Sequence, residues 1–402
     1  MLIFVPKRYD MSKQYEIPRL SLPYDLETKA VLKQLNRSNR KLAELKGVAQ
    51  TIPNENILIS TLTLQEAKDS SSVENIVTTQ DDLYRADLCL KQNVQSASAK
   101  EVLNYREAIQ FGFSLVRKNR ILSNNVIKQI QERLEHNHAG FRKLPGIVLR
   151  RADGLEVYTP PQDGAQVEIY MDNLEEFINN EELCDFDPLV KMAIIHHQFE
   201  SIHPFYDGNG RTGRIVNVLY LVTSGLLDLP ILYLSRYITH NKGDYYRLIQ
   251  AIRDKEEDNA KEWEEWILFI LKGIEETAEE TIRLIKAIAE MMTRYKNILR
   301  PLFGKTYKHE LINNLFFHPY TKVEFVERDM QVQRKAATKY LGMIVGAGLL
   351  EKVRVGKSNF YINTELMRLF ADISAKGSSA SPLPIESILP DSHVSKNGIS
   401  GT

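Results

Sequence analysis

His203-Pro204-Phe205-Tyr206-Asp207-Gly208-Asn209-Gly210-Arg211-Thr212-Gly213-Arg214 joins two stretches of helical period. Upstream, Val190, Ile194, Phe199 and Ile202 are the side chains a helix is expected to bury. Downstream, Ile215, Val218, Leu219 and Val222 recur at spacings of 0, 3, 4 and 7. Pro204 disfavours the α conformation at His203, so the first helix is expected to end there. The loop then runs straight into a helix N-terminus, whose free N–H groups and partial positive charge attract phosphate. Gly208 and Gly210 let the backbone approach an anion closely. Arg211 and Arg214, three apart on a helix, share a face and suit two phosphates by their fork geometry. Asp207 offers an oxygen ligand to a Mg²⁺ already held by phosphates. His203, at the loop's entrance, is placed to act as a general base.

Two plainer readings compete. Asp-Gly-Asn-Gly alone is an ordinary turn signal. It gives no reason for a histidine at one end and two arginines at the other. His196, Glu200 and His203 also stand at helical spacings of 0, 4 and 7, as in a two-His-one-carboxylate metal site. That reading leaves the glycines and both arginines unexplained.

Composition bounds the rest. The 402 residues carry 52 basic and 52 acidic side chains, so zero net charge argues against a general polyanion binder. With 43% hydrophobic and 26% charged residues the chain is neither disordered throughout nor fibrous. At about 150 residues per domain, two or three domains are expected. Two cysteines, Cys89 and Cys184, make no secreted disulfide framework. No stretch reaches the roughly 20 apolar residues that span a bilayer. The expectation is a soluble, cytoplasmic protein with no membrane partner.

Along the chain, residues 1–30 read as an extended arm. Helical pattern follows over 25–45, 57–72 and 100–136, with a break near Ser123–Asn124. Over 141–170, glycines and prolines separate the strand-like runs IVLR, LEVYT and QVEIY, which predict a β-hairpin flap. An amphipathic stretch at 261–274 leads into a long polar helix over 274–296. Residues 306–370 read helix, helix, helix and a two-stranded wing, resembling winged helix-turn-helix domains. The Ser-rich tail at 371–402 has no aromatic residue and is expected to be disordered.

HPFYDGNGRTGR resembles the signature of Fic-domain proteins, His-x-Phe-x-(Asp/Glu)-Gly-Asn-Gly-Arg-x-x-Arg, at every specified position, and the likeness extends over roughly residues 60–275. The resemblance implies a mainly α fold: a helical catalytic core at 101–275 with a hairpin flap. Before it stand an N-terminal arm and helical region at 1–100. A connecting helix at 276–300, a winged helix at 301–370 and the tail follow. It also implies transfer of AMP from ATP to Ser, Thr or Tyr hydroxyls of target proteins and of the enzyme itself. His203 would take the hydroxyl proton, Asp207 would hold Mg²⁺, and Gly208, Asn209 and Gly210 would cradle phosphates. Arg211 and Arg214 would bind the β- and γ-phosphates, and Phe205 would anchor the loop. Members that transfer a terminal phosphate carry Lys at the second glycine; Gly210 here favours AMP.

Ser70-Ser71-Ser72-Val73-Glu74-Asn75 matches a second pattern of the family, (Ser/Thr)-x-x-x-Glu-(Gly/Asn). The resemblance gives Glu74 the role of an inhibitor that takes Arg214 from the γ-phosphate. Tyr246, beside Tyr245, sits where family members line the adenine pocket. The flap would pair with an extended target segment, and a homodimer is a family habit. The third helix of the winged unit carries Arg334, Lys335 and Lys339, and its wing Lys352, Arg354 and Lys357, so DNA is a possible partner. The rival function is a DNA-binding regulator whose Fic-like domain only senses nucleotide; such a sensor has no need of His203.

Overall fold

The computed structural model describes residues 15–79, 83, 96–150, 154–255, 258–355 and 358–375. Among the described residues four helices come first: α1 (Lys29–Ala49), α2 (Glu55–Val73), α3 (Ala97–Asn119) and α4 (Asn124–Glu135). A short antiparallel hairpin follows, β1 (Leu149–Arg150) with β2 (Glu156–Tyr158). Then come α5 (Gly164–Asn179), α6 (Pro188–Ile202), α7 (Asn209–Thr223), α8 (Leu234–His240), α9 (Lys242–Asp254) and α10 (Ala260–Phe303). The C-terminal part has α11 (His309–Phe317), β3 (Tyr320–Thr321), α12 (Val323–Met330), α13 (Arg334–Gly346), β4 (Glu351–Val355), β5 (Ser358–Ile362) and α14 (Thr364–Ala375). Its three strands form one antiparallel sheet in the order β3-β5-β4.

Local chemistry sets the first six helix starts. Thr28, Asn54, Ser96, Ser123, Asp163 and Asp187 each accept a hydrogen bond from a backbone N–H of the first turn of α1 to α6. Pro188, in the first turn of α6, gives up no needed N–H. The run QVEIY, expected as strand, lies inside α5. The Asp163 cap starts the helix upstream of it, and Val167, Met171, Leu174 and Ile178 then bury one face at helical spacing. The β-branched composition of the run lost to a cap and a buried stripe.

The stretch expected as an amphipathic segment and a polar continuation is one 44-residue helix, α10. Its second half is no solvated connector: Ala278, Ile282, Ile285, Ile288, Met292, Tyr295 and Leu299 are buried. It packs along α1 and reaches α6, α8 and α9. Trp263 and Trp266 are fully buried at its start, and Trp266 Nε1 donates to Ala193 O of α6 at 2.8 Å. A boundary at 275/276 therefore falls inside the element around which the molecule is built. The arm at 15–28 is extended and buries Ile17, Leu20, Leu22 and Leu26, with Asn173 clasping the Leu20 backbone at 2.8 and 2.9 Å.

The C-terminal unit is packed onto the rest. Helix α11 lies against α2, and Phe370 of α14 lines a small cavity with Gln65 and Asp69 of α2. Residues 371–375, expected in the tail, continue α14. The tail beyond 375, Cys89 and Lys357 lie outside the described residues. Among the described residues no helix is long and apolar enough to cross a membrane.

Candidate active site

Helix α6 ends at Ile202 as the proline predicts, yet His203 is left-handed, with φ 51° and ψ 60°. Phe205 is fully buried, 5.3 Å from the Phe141 ring and 6.4 Å from Phe199. Removing such a side chain from water is worth about 1.5–3 kcal/mol, which pins the loop to the core. Asn209 turns back to the same residue. Its Oδ1 accepts from Phe205 N and its Nδ2 donates to Phe205 O, both at 2.8 Å. The amide expected to touch phosphate is thus spent on holding the loop's shape.

Gly208 opens α7 at φ 76°, a conformation glycine adopts without penalty. Unlike α1 to α6, α7 has no side-chain cap, so its first N–H groups remain available to a ligand. Asp207 is exposed at the rim, one carboxylate oxygen accepting from Gly208 N at 2.7 Å.

Both arginines of the motif are buried and gripped by acids. Arg214 donates to Glu74 Oε1 at 2.9 Å, to Ser70 Oγ at 2.8 Å and to Ser70 O at 3.0 Å. Burial would raise the Glu74 carboxyl, but Arg214 outweighs it and holds the group below its ordinary value. Glu74 lies directly over Gly210, where a Cβ would collide with its carboxylate. Asn75 accepts from Lys242 Nζ at 2.9 Å, which fastens the end of the Ser70–Asn75 segment to α9. Arg211 is held by Glu135 at 2.8 Å and Glu101 at 3.1 Å, and Glu135 occupies the space beside Gly208.

Burial, then the charges of Arg253 and Arg142, push the His203 imidazole far below its usual range, so it is neutral at neutral pH. Burial likewise pushes Glu200 up to about 7, against the opposing pull of Arg214. The three residues of the alternative metal reading do not assemble. His196 faces Tyr245 OH at 2.9 Å, and His203 has left the helix. Among the described residues no group of three or more His, Cys, Asp or Glu could hold an ion. Tyr245 is core, whereas Tyr246 is 47% exposed and feels the Glu74 carboxylate.

Sequence reading missed Arg142, Arg253, Glu101 and Glu135. None belongs to a local pattern; each reaches the loop only through the packing of α3, α4, α9 and the hairpin segment. In the C-terminal unit, Arg334 of the proposed DNA-facing helix is paired with Glu324 at 3.0 Å and Glu327 at 3.6 Å.

Comparison with known proteins matches residues 32–114 to the Fic/DOC family N-terminal region and 121–221 to the Fic/DOC family. Residues 291–366 match the C-terminal domain of SoFic-like protein adenylyltransferases. A protein adenylyltransferase Fic of Drosophila virilis is 28% identical over 181 residues, 39% of this chain and 37% of its own length. One of Aedes aegypti is 29% identical over 153 residues, 37% of this chain and 29% of its own. The chain thus spans about a third of the length of these relatives. A Fic family protein of Desulfovibrio desulfuricans G20 has a like fold, with a TM-score of 0.52 at 18% identity. The overlap covers 83% of this chain and 96% of that one. Motif, matched regions and fold agree: the chain belongs to the Fic/DOC family.

Proposed function

We propose that the protein is a protein adenylyltransferase that moves AMP from ATP to Ser, Thr or Tyr hydroxyls of other proteins and of itself, and that Glu74 holds it in check. The observation that carries the reading is a neutral His203 at the mouth of an uncapped helix that carries two buried arginines. A loop that only sensed nucleotide would leave that base without a task, and Arg334, already paired with acids, lends a DNA-binding regulator no support.

In the proposed reaction His203 takes the proton of the target hydroxyl as its oxygen bonds to the α-phosphorus of ATP. The bond between that phosphorus and the bridging oxygen to the β-phosphate breaks, and pyrophosphate leaves. The α7 N–H groups and Arg214 would hold the phosphates, and Tyr246 would border the adenine. Asp207, a lone exposed carboxylate, suits a Mg²⁺ that takes its other oxygens from phosphate. Such an ion would supply neutralising charge on the leaving pyrophosphate. The hairpin would take a target segment by strand addition. The C-terminal unit, read as a winged helix, would contact partners; a cytoplasmic setting completes the proposal.

The test is incorporation of α-labelled ATP into protein by the Glu74→Gly variant with and without His203→Ala. Loss of a general base lowers transfer by about 10²–10⁴-fold, while ATP affinity stays put. Near-normal labelling without His203 would sink the mechanism.

A further inference from the structure

Four successive backbone carbonyls, from Ser201 to Pro204, all accept hydrogen bonds from the segment that carries the hairpin. Tyr158 OH, at the end of β2, donates to Ser201 O at 2.8 Å. Arg142, at the hairpin's foot, takes the next three. Its Nη2 donates to Ile202 O at 3.2 Å, its Nε to His203 O at 2.7 Å and its backbone N to Pro204 O at 2.8 Å. We propose that Arg142 is the positioning residue for the His203 base, fixing the imidazole's direction and its register with the hairpin; this rests on His203 being that base.

A physical need for such a clamp is visible. The last carbonyls of a helix have no partner within it, and Pro204 ends α6 without offering an N–H. His203 is also held in a left-handed conformation that costs a non-glycine residue about 1–2 kcal/mol. The planar guanidinium, with five donors, meets both demands at once. Arg142 is only 1% exposed, and burial pulls its guanidinium below its ordinary value. A buried cation facing carbonyls at the negative end of a helix dipole is a costly way to fill space. Leucine or methionine would pack there more cheaply, so packing alone does not account for it.

The same place ties the hairpin to the loop. Tyr206 OH accepts from Lys143 N and Leu144 N, each at 3.1 Å. Gly164, where the hairpin segment returns, lies so close that a Cβ there would stand 2.7 Å from Lys143 Cα. Both feet of the hairpin and the His203 loop therefore meet at Arg142. A target segment lying on the hairpin would be referenced to the base through this one side chain.

Arg142→Met and Arg142→Lys, each in the Glu74→Gly chain, test the idea by two independent readouts. For Met, kcat for transfer from α-labelled ATP is expected to fall about 10–100-fold, as near-ångström misplacement of a reacting group does. KM for ATP should be unchanged. Lys, which can still reach the carbonyls, should recover most of the rate. The second readout needs no transfer activity. The rate at which diethyl pyrocarbonate modifies His203, followed by peptide mass spectrometry with buried His196 and His197 as internal standards, should rise several-fold in Met and not in Lys. A folded Met variant with unchanged kcat, or one whose loss Lys does not recover, overturns the proposal. If Glu74→Gly itself transfers no label, the functional reading fails, and the His203 modification rates alone decide the role of Arg142.

Discussion

Replacing Glu74 by Gly removes a carboxylate that contacts Arg214. The contact is a charge-assisted hydrogen bond of 2.9 Å to a guanidinium with 2% exposure, while the Glu74 side chain keeps 36%. Bonds of this class contribute about 1.5–3 kcal/mol; the exposed side of the pair argues for the lower half. At 1.4 kcal/mol per decade, Glu74→Gly is expected to raise transfer by about 10–40-fold. Arg214 should not swing away when freed, because Ser70 Oγ and Ser70 O still hold it at 2.8 and 3.0 Å. The assay is the initial rate of label incorporation from α-labelled ATP with Mg²⁺. Glu74→Gln serves as a companion that keeps the shape and loses the charge, and it should give a smaller rise of the same sign. A folded, ATP-binding Glu74→Gly protein whose rate stays within about twofold of wild type would refute the reasoning.

Two further outcomes follow from the burial of acids and the packing of the C-terminal unit. Glu200 has its folded-state value raised from 4.5 to about 7, so its neutral form stabilises the fold below pH 4.5 and that contribution is lost as pH rises through 7. Glu200→Gln should therefore be more stable than wild type at pH 8, by up to about 3 kcal/mol and seen as a higher Tm, and little different at pH 5; an equal gap at both pH values contradicts this. Truncation after Phe303 strips α11 from α2 and Phe370 from beside Asp69. The shortened chain should melt lower and label itself faster than the full chain, since the helix carrying Glu74 loses a support; a slower or unchanged rate in a folded truncation removes the C-terminal unit from control of Glu74.

The motif between α6 and α7 was legible because its chemistry is contiguous: a proline to end one helix, glycines to open the next, arginines on its first turns. Glu74 was legible through a second contiguous pattern, and its ion pair with Arg214 spans 140 positions of sequence. What the sequence hid was carried by long-range packing. Arg142 lies 61 residues before the carbonyl it holds, and Glu101 lies 110 before Arg211. Nothing near either residue marks it. The strand reading of QVEIY failed because β-branched residues speak of local preference, whereas the Asp163 cap and the buried stripe of α5 decide the conformation. The polar count of 274–296 concealed a narrow apolar face, which is enough for α10 to lie along α1.

His203 is proposed to direct AMP, not phosphate, onto a hydroxyl. Intact mass spectrometry of the Glu74→Gly protein after incubation with ATP and Mg²⁺, followed by peptide mapping, tests it most directly. Adducts of one AMP on Ser, Thr or Tyr are expected, absent when His203→Ala is added. A phosphate adduct, or an AMP adduct that persists without His203, would contradict it.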